Sequence, residues 1–198
     1  MSTTTNDEMN LTAGLLAIVF PGAGHLYLRQ SRRGVLAAVG VLGLFLGGML
    51  VGGVDVIDRR EDKWWFLGQA MVGPLAFAVD SYHQHALKAY PLEPSEIASR
   101  RVEARRLSFL KPASVMPGMT RKVGQFEIYD GSTGALQQTR TLAYAVEAGP
   151  GEGPPNTKSI GRMNELGMLS VAVAGMLNFI VILDAFFPAR AAGAGGRK

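Results

Sequence analysis

Four long apolar blocks, almost free of charged side chains, constrain this chain more than any other feature. They cover residues 11–28, 34–54, 64–82 and 166–187. A helix that crosses the hydrocarbon core of a bilayer needs about 20 consecutive apolar residues, whereas a soluble core helix of that length would carry a polar stripe. Residues 34–54 carry no such stripe. The sequence therefore predicts an all-α membrane helical bundle with three or four transmembrane helices.

Two of these blocks are interrupted by residues that break helices. The first contains the sequence PGAG at residues 21–24, where proline removes a backbone donor and glycine loosens the helix. It is therefore either a kinked span or a short helix that turns back, and both alternatives stay open. The third block begins with Trp64 and Trp65, which are typical of the headgroup level of a bilayer, and Pro74 predicts a kink within it.

Glycine pairs in the second block have the spacing of helix-packing motifs. Gly43 and Gly47 form one GxxxG motif, and Gly48 and Gly52 form another. In lipid this spacing lets a second helix approach closely. Glycine-rich membrane helices also contain the motif by chance, but we favour a packing role and expect Gly43 and Gly47 to face another helix.

The polar segment between the third and fourth blocks predicts a small α+β insertion. Residues 123–129 and 141–147 alternate as two strands of a β-hairpin, with Asp130-Gly131 as turn residues. A basic helix over residues 96–107, with Ser95 as its N-cap, precedes them, and GPGEGPPN at residues 149–156 is a linker. The predicted organisation is an N-terminal tail (1–10), membrane helices one to three (11–80), the polar insertion (81–164), the last transmembrane helix (165–188) and a C-terminal tail (189–198).

Basic residues next to the apolar blocks predict a topology. Lys and Arg are enriched in the cytoplasmic loops of membrane proteins. This rule places the turn at residues 29–33, with its three arginines, and the insertion at residues 81–164 in the cytoplasm. The mixed-charge connection at residues 55–63 would then lie on the other side. The expected location is the inner membrane of a bacterial cell, crossed several times.

Two stretches resemble known membrane-protein sequences. LAIVFPGAGHLYLRQSRRGVLAAVGVLGLFLGG, residues 16–48, resembles the two-transmembrane-helix domain, here spanning residues 11–54, although the turn at residues 25–29 lacks the glycine usual in that family. Residues 165–187 are similar to the final helix of a bacterial membrane-protein family of unknown function that begins with such a domain, through AGMLN at 174–178 and ILDA at 182–185. The resemblance implies a polytopic membrane protein and no particular activity.

Four polar residues within the apolar blocks are candidates for an intramembrane role. An ionisable or polar group inside a span is by default a functional hypothesis, and here these groups are Asp184, Asn178, Gln69 and His25. They could line a transport pathway, but hydrogen bonding between helices is the interpretation that we favour.

Two further groups of residues are weaker candidates. Asp80, His83 and His85 have a D-x-x-H-x-H spacing, but a metal would need a further ligand, and we expect no metal and no other cofactor. A cluster of arginines in the insertion could bind anionic lipid headgroups. Nucleic acid is not expected, because no aromatic platform accompanies this cluster, which consists of Arg100, Arg101, Arg105 and Arg106.

The function indicated by the sequence is not enzymatic. There is no cysteine for thiol chemistry, and no nucleophile elbow, P-loop, HExxH or dinucleotide fingerprint is present. We expect a structural or interaction module that contacts the lipid bilayer and either a protein partner or further copies of itself. The alternative is a small oligomeric transporter or channel that uses the polar intramembrane residues.

Overall fold

The computed structural model describes residues 9–152 and 161–188, which form eight α-helices and one small three-stranded sheet. The helices are α1 (Leu11–Val19), α2 (Ala23–Tyr27), α3 (Ser31–Gly52), α4 (Lys63–Gln69), α5 (Pro74–Tyr82), α6 (Pro94–Ser99), α7 (Ala104–Phe109) and α8 (Arg162–Phe186). The strands are β1 (Arg101–Glu103), β2 (Met119–Tyr129) and β3 (Leu136–Glu147).

Two antiparallel helices, α3 and α8, form the frame of the molecule. They have 22 and 25 residues and are long and apolar enough to cross a membrane, by length and composition. At one end of the pair Gly48 and Gly52 lie against Gly167, and at the other end Arg33 reaches Asp184. We call the end with Gly48, Gly52 and Gly167 the domain end, because the polar insertion lies there. We call the end with Arg33 and Asp184 the opposite end.

The close contact between these helices depends on glycine. A Cβ atom added to Gly48 would lie 2.7 Å from the carbonyl oxygen of Gly167, which is closer than real Cβ contacts. A Cβ atom added to Gly43 or Gly47 would instead meet nothing within 4 Å beyond the adjacent backbone of α3, in the part of the chain that the structure describes. Within this chain, the expectation that Gly43 and Gly47 face another helix is therefore wrong, and the close contact lies one turn further along α3.

The first apolar block turns back instead of spanning. The N–H of Asn10, just before α1, donates to the carbonyl of Phe186 at the end of α8 (2.8 Å). The chain then reverses at Gly22, which has a left-handed φ of 82°, and α2 brings His25 to within 2.8 Å of Asp184. The block therefore enters from the opposite end and returns to it, which resolves the two alternatives left by the sequence.

The third apolar block also turns back, from the domain end. Helix α4 runs inward and is followed by a 3-10 turn that holds Met71, whose carbonyl accepts from Asn178 of α8 (2.8 Å). Gly73 then reverses the chain with a φ of 101°, and α5 returns. A Cβ at Gly73 would lie 2.3 Å from the carbonyl oxygen of Ile18, so the tips of the two helical hairpins touch. The described chain thus has two candidate spanning helices and two shorter helical hairpins, and the predicted number of three or four spans is not confirmed.

The polar insertion contains the predicted β-hairpin. β2 and β3 pair antiparallel, with Val123 opposite Ala143, and they extend beyond the predicted residues. The turn is stabilised by Asp130, whose carboxylate accepts from the N–H of Ser132 (2.7 Å). β1 adds a third, parallel strand beside β2. The core under this sheet is formed by Leu92, Val102, Leu107, Phe126, Ile128, Leu142 and Tyr144.

The predicted basic helix over residues 96–107 is wrong. The chain forms α6, then β1, then α7, because Arg100 adopts a left-handed φ of 56° that ends α6. The N-cap of α6 is Glu93, which forms a reciprocal capping box with Glu96, and not Ser95. Half of the predicted linker at residues 149–156, most of the N-terminal tail and all of the C-terminal tail lie outside the described residues.

Candidate functional site

A cluster of buried polar side chains joins the domain end of the long helices to the polar insertion. Each of its members is less than a tenth exposed. We call it the junction cluster, and it consists of Asp55, Asp58, Asp80, His83, Gln84, Lys88, Ser114 and Asn164.

Several separate elements carry these residues to one place. A short 3-10 turn after α3 holds Asp55, and the last turn of α5 carries Asp80. α5 then continues into a π-helical turn, His83–Leu87, that carries His83; single π turns often lie at functional sites. Asn164 comes from the first turn of α8. The cluster therefore exists only because the third apolar block returns to the domain end.

The central contact is an ion pair between Asp58 and Lys88. The Nζ atom of Lys88 lies 2.5 Å from Oδ2 of Asp58 and 2.8 Å from Oε1 of Glu61. The other oxygen of Asp58 accepts from the backbone N–H groups of Arg60 (2.8 Å) and Glu61 (3.1 Å). One buried ammonium thus holds two carboxylates of the loop that follows α3.

Both members of this pair have shifted pKa values. Burial is the largest single influence, and alone it would raise the pKa of Asp58 and lower the pKa of Lys88. The hydrogen bonds and attraction between the two groups, with the backbone donors to Asp58, together outweigh burial. The pKa of Asp58 is therefore below its ordinary 3.8 and the pKa of Lys88 is above its ordinary 10.5, so both are charged at neutral pH.

Ser114, His83 and Asp55 also lie in contact, but not in the order that activates a serine. The hydroxyl of Ser114 donates to Oδ1 of Asp55 and lies 3.2 Å from Nε2 of His83. Asn164 donates to the second oxygen of Asp55 (3.2 Å). A nucleophilic serine gives its proton to histidine, whereas here the carboxylate accepts it. The arrangement favours structural hydrogen bonding over acyl transfer.

A glutamine links the remaining carboxylates. Gln84 donates to Oδ1 of Asp58 (2.7 Å) and to Oδ1 of Asp80 (3.2 Å). Asp80 is also held by Arg59, through the backbone N–H and through Nε, both at 3.0 Å. Asp58 and Asp80 therefore each have a cation and an amide donor as partners, which offsets the cost of burying them.

The ligand types in the cluster also suit a metal ion. Asp55, Asp58 and His83 offer ligand atoms within 4.8 Å of one another, and carboxylate and imidazole groups bind zinc and related ions. An ion bound there would sit beside the ammonium of Lys88, which already contacts Asp58. The geometry therefore favours Lys88 as the cation of this site.

Of the three residues that the sequence singled out for a weak metal site, two lie in the cluster. Asp80 and His83 are buried in it, whereas His85 is exposed and its Nδ1 lies 2.7 Å from the carbonyl of Ser81. Sequence reasoning missed Asp55 and Asp58. The available signal was a D-x-x-D spacing directly after the second block, which matches the D-x-x-H spacing at the end of the third.

The junction cluster also corrects the predicted topology. The connection at residues 55–63 contacts the insertion directly, through the pair of Asp58 with Lys88 and the hydrogen bond of Ser114 to Asp55. Arg33 lies at the opposite end, near Asp184. The prediction that the connection and the insertion lie on different sides is wrong, because the third block does not cross from one end to the other.

The four polar intramembrane candidates do not form one cluster. His25 and Asp184 pair at 2.8 Å at the opposite end. Asn178 and Gln69 are fully buried and donate separately to backbone carbonyls, those of Met71 (2.8 Å) and Val56 (2.7 Å). Both carbonyls lie in 3-10 turns, one after α3 and one after α4, so the amides satisfy backbone groups where the α-helices are interrupted.

The arginines predicted to meet anionic lipid are mostly held within the insertion. The guanidinium of Arg100 lies 5.2 Å from the ring centroids of both Phe126 and Tyr144. Arg101 pairs with Glu127 at 3.4 Å, and Arg106 pairs with Glu96 at 2.8 Å and with Glu93 at 3.2 Å. Among the four, Arg105 alone has no side-chain partner in the described part of the chain. Lipid binding by this cluster stays a prediction.

Comparison with known proteins gives a family and no activity. A family model described as "Family of unknown function (DUF6677)" matches residues 12–198. No curated protein matches the chain, and no solved structure matches it.

Proposed function

The chain belongs to the family of unknown function DUF6677, and from its geometry we propose that it is a multi-pass membrane protein whose insertion is a non-enzymatic structural or interaction module. The two candidate spanning helices are α3 and α8. The observation that carries the proposal is the junction cluster, which fixes the insertion to one end of these helices.

Exposed apolar side chains on the helices support the membrane placement. Leu36, Val39 and Leu50 of α3 are 62%, 65% and 87% exposed, and Ile180 of α8 is 61% exposed. Soluble monomers rarely expose such continuous apolar surface. Lipid acyl chains would cover these side chains without any protein partner.

The irregular backbone at the tips of the two hairpins supports the same placement. Non-helical backbone at membrane depth is tolerated only where protein buries it. Gly22 and Gly73, where the chain reverses, are both buried. Gly22 lies against the carbonyl of Gly34, and Gly73 lies against that of Ile18. The breaks are thus shielded by neighbouring segments of the chain.

The chemistry of the junction cluster supports a structural role for the insertion. The carboxylates of Asp58 and Asp80 are paired with cations, and the Ser114 hydroxyl is committed to Asp55. A buried network of ion pairs and hydrogen bonds between separate elements favours one arrangement of those elements. The insertion would therefore be presented at the membrane surface in a fixed orientation, as a docking module requires.

We also place the insertion on the cytoplasmic side of the bacterial inner membrane. Arg59, Arg60 and Lys63 lie where the insertion meets the domain end of the helices, and anionic lipids of the cytoplasmic leaflet attract such basic residues. The arginines at residues 29–33 lie at the opposite end, but the connection and the insertion together carry more basic residues, so the enrichment of Lys and Arg on the cytoplasmic side favours this orientation.

The rival function is a small oligomeric transporter or channel. The observation in its favour is the pair of helical hairpins that enter from opposite ends and touch at Gly73 and Ile18, because broken helices that meet inside a membrane are typical of transporters. Against it, Asn178 and Gln69 are engaged by backbone carbonyls.

Isolation of the intact complex distinguishes the two functions. The protein should stay in membranes after alkaline carbonate extraction, and release by carbonate would remove the membrane proposal. Native mass spectrometry in mild detergent should then give a complex with a second protein. A homo-oligomer that conducts ions or solutes in liposomes would instead establish the rival function.

A further inference from the structure

Beside the junction cluster lies a cavity with an unusual density of positive charge. It has a volume of about 540 Å³ and opens at the domain end. Five cationic side chains line it, together with one carboxylate and one proline. The lining residues are Arg59, Arg60, Glu61, Lys63, Lys88, Lys111 and Pro112.

Three of these cations have no carboxylate partner in residues 9–152 and 161–188. Arg59 is neutralised by Asp80, and Lys88 is neutralised within the junction cluster. Arg60, Lys63 and Lys111 are exposed and form no ion pair in that part of the chain. The fixed charges of the junction therefore leave the cavity with an excess of positive charge.

The cavity also lies where phosphate groups of a bilayer would be. Lys63 is the first residue of α4, which turns inward among the apolar helices. Trp64 and Trp65 follow at once, with exposures of 88% and 44%. Exposed tryptophans of this kind lie at the headgroup level. If α4 enters the bilayer as proposed, then Arg60, Lys63 and Lys111 surround a space at the depth of the lipid phosphates.

We infer that this cavity binds the headgroup of an anionic phospholipid. The inference rests on the proposed membrane placement and adds a ligand class to it. A guanidinium such as that of Arg60 can hold two oxygens of a phosphodiester at once, and the ammonium groups of Lys63 and Lys111 supply further charge. A zwitterionic headgroup brings its own cation and gains less. The site is separate from the arginines at residues 100–106, most of which are held by partners within the insertion.

The two tryptophans provide a local reporter of the lipid beside the cavity. They are the only tryptophans in the chain, and both directly follow Lys63. The full-length protein is reconstituted in bilayers that contain either brominated phosphatidylglycerol or brominated phosphatidylcholine, since bromine on the acyl chains quenches nearby tryptophan fluorescence. Each cation near an anionic surface contributes about a fivefold preference before screening. We expect the relative association constant to favour phosphatidylglycerol by at least about tenfold at low salt.

Two triple variants test whether the preference belongs to this cavity. In the variant Arg60→Gln, Lys63→Gln, Lys111→Gln, both brominated lipids should quench the tryptophan fluorescence equally. The matched control Arg29→Gln, Arg32→Gln, Arg140→Gln removes the same charge at exposed positions elsewhere and should keep the preference. In the wild-type protein, which needs no substitution, the preference should fall steeply as the salt concentration rises.

Each other outcome overturns the inference. Equal quenching of the wild-type tryptophans by both lipids would refute the headgroup site alone. Quenching by neither lipid would also refute the proposed membrane placement. Loss of preference in the control variant would show general surface charge. If inorganic phosphate at constant ionic strength abolished the preference, then the ligand would be a soluble phosphate anion and not a lipid.

Discussion

Replacement of Lys88 by methionine should destabilise the contact between the insertion and the long helices. The Lys88 side chain is almost completely buried and contacts carboxylate oxygens of Asp58 and Glu61 at 2.5 and 2.8 Å. Methionine has a similar length and fills most of the space, so the substitution removes the charge with little change in packing. The Asp58 carboxylate, also buried, then has no cation beside it.

The size of the expected destabilisation depends on the hydrogen bonds that Asp58 retains in the variant. Removal of one partner from a buried ion pair costs roughly 3–5 kcal/mol. Asp58 would retain hydrogen bonds from the backbone N–H groups of Arg60 and Glu61 and from Gln84, so we expect the lower limit, about 3 kcal/mol. For a chain of this size, about 1 kcal/mol shifts the unfolding midpoint by roughly 2–4 °C, which gives a decrease of about 6–12 °C.

Thermal unfolding of the purified protein in detergent, followed by tryptophan fluorescence, measures this decrease. The double variant Lys88→Met, Asp58→Asn should recover part of the loss, because no uncompensated charge stays buried. Lys122→Met is the matched control, since Lys122 pairs with Glu152 on the exposed surface, and its midpoint should equal that of the wild-type protein. If Lys88→Met unfolded at the wild-type temperature, the junction cluster would not hold the insertion in place.

Three further predictions concern the helices and the same cluster. Gly48→Leu should lower the unfolding midpoint because its side chain would meet the carbonyl of Gly167, whereas Gly43→Leu, with nothing within 4 Å in the described chain, should not; equal effects would contradict the packing. The pKa of Asp58 is lowered in the folded protein, so its stabilisation is fully present above pH 3.8 and is lost as the pH falls through its folded-state pKa. The pKa of Lys88 is raised, so its stabilisation is fully present below pH 10.5 and is lost as the pH rises through its folded-state pKa. The difference in unfolding free energy between wild type and the double variant Lys88→Met, Asp58→Asn, in which neither group titrates, should therefore be constant between these limits, and a loss of that difference within them would contradict the ion pair. Chelation with EDTA should leave the unfolding midpoint unchanged, because Lys88 supplies the positive charge beside Asp58, and a large decrease would establish a metal at Asp55, Asp58 and His83 instead.

The parts of the fold that the sequence predicted are those fixed by local pattern. The absence of charge over residues 34–54 and 166–187 predicted α3 and α8, and both are present. The alternation around Phe126 and Tyr144, with turn residues between them, predicted the hairpin of β2 and β3. β1 was missed, because three residues are too few to show a pattern and its pairing is with a strand far along the chain.

The reversal of the third block depends on contacts that local pattern does not carry. Residues 64–82 are apolar enough for a span, and Pro74 alone is compatible with a kink. The reversal needs the left-handed Gly73 and the contact of that residue with Ile18, which lies in another apolar block. The candidate site was missed for the same reason. Asp55 and Ser114 are 59 residues apart in sequence and meet only once the chain has turned back.

The positions of three single cysteines relative to the membrane test the central claim most directly. The chain has no native cysteine, so Arg32→Cys, Arg60→Cys and Gln138→Cys can each be labelled with a membrane-impermeant thiol reagent in sealed vesicles of known orientation. All three positions are exposed. Positions 60 and 138 should react from the same side and position 32 from the other, because the third apolar block returns to the domain end. Reaction of positions 32 and 138 from one side and position 60 from the other would contradict the two hairpins, the junction cluster and the fixed insertion together.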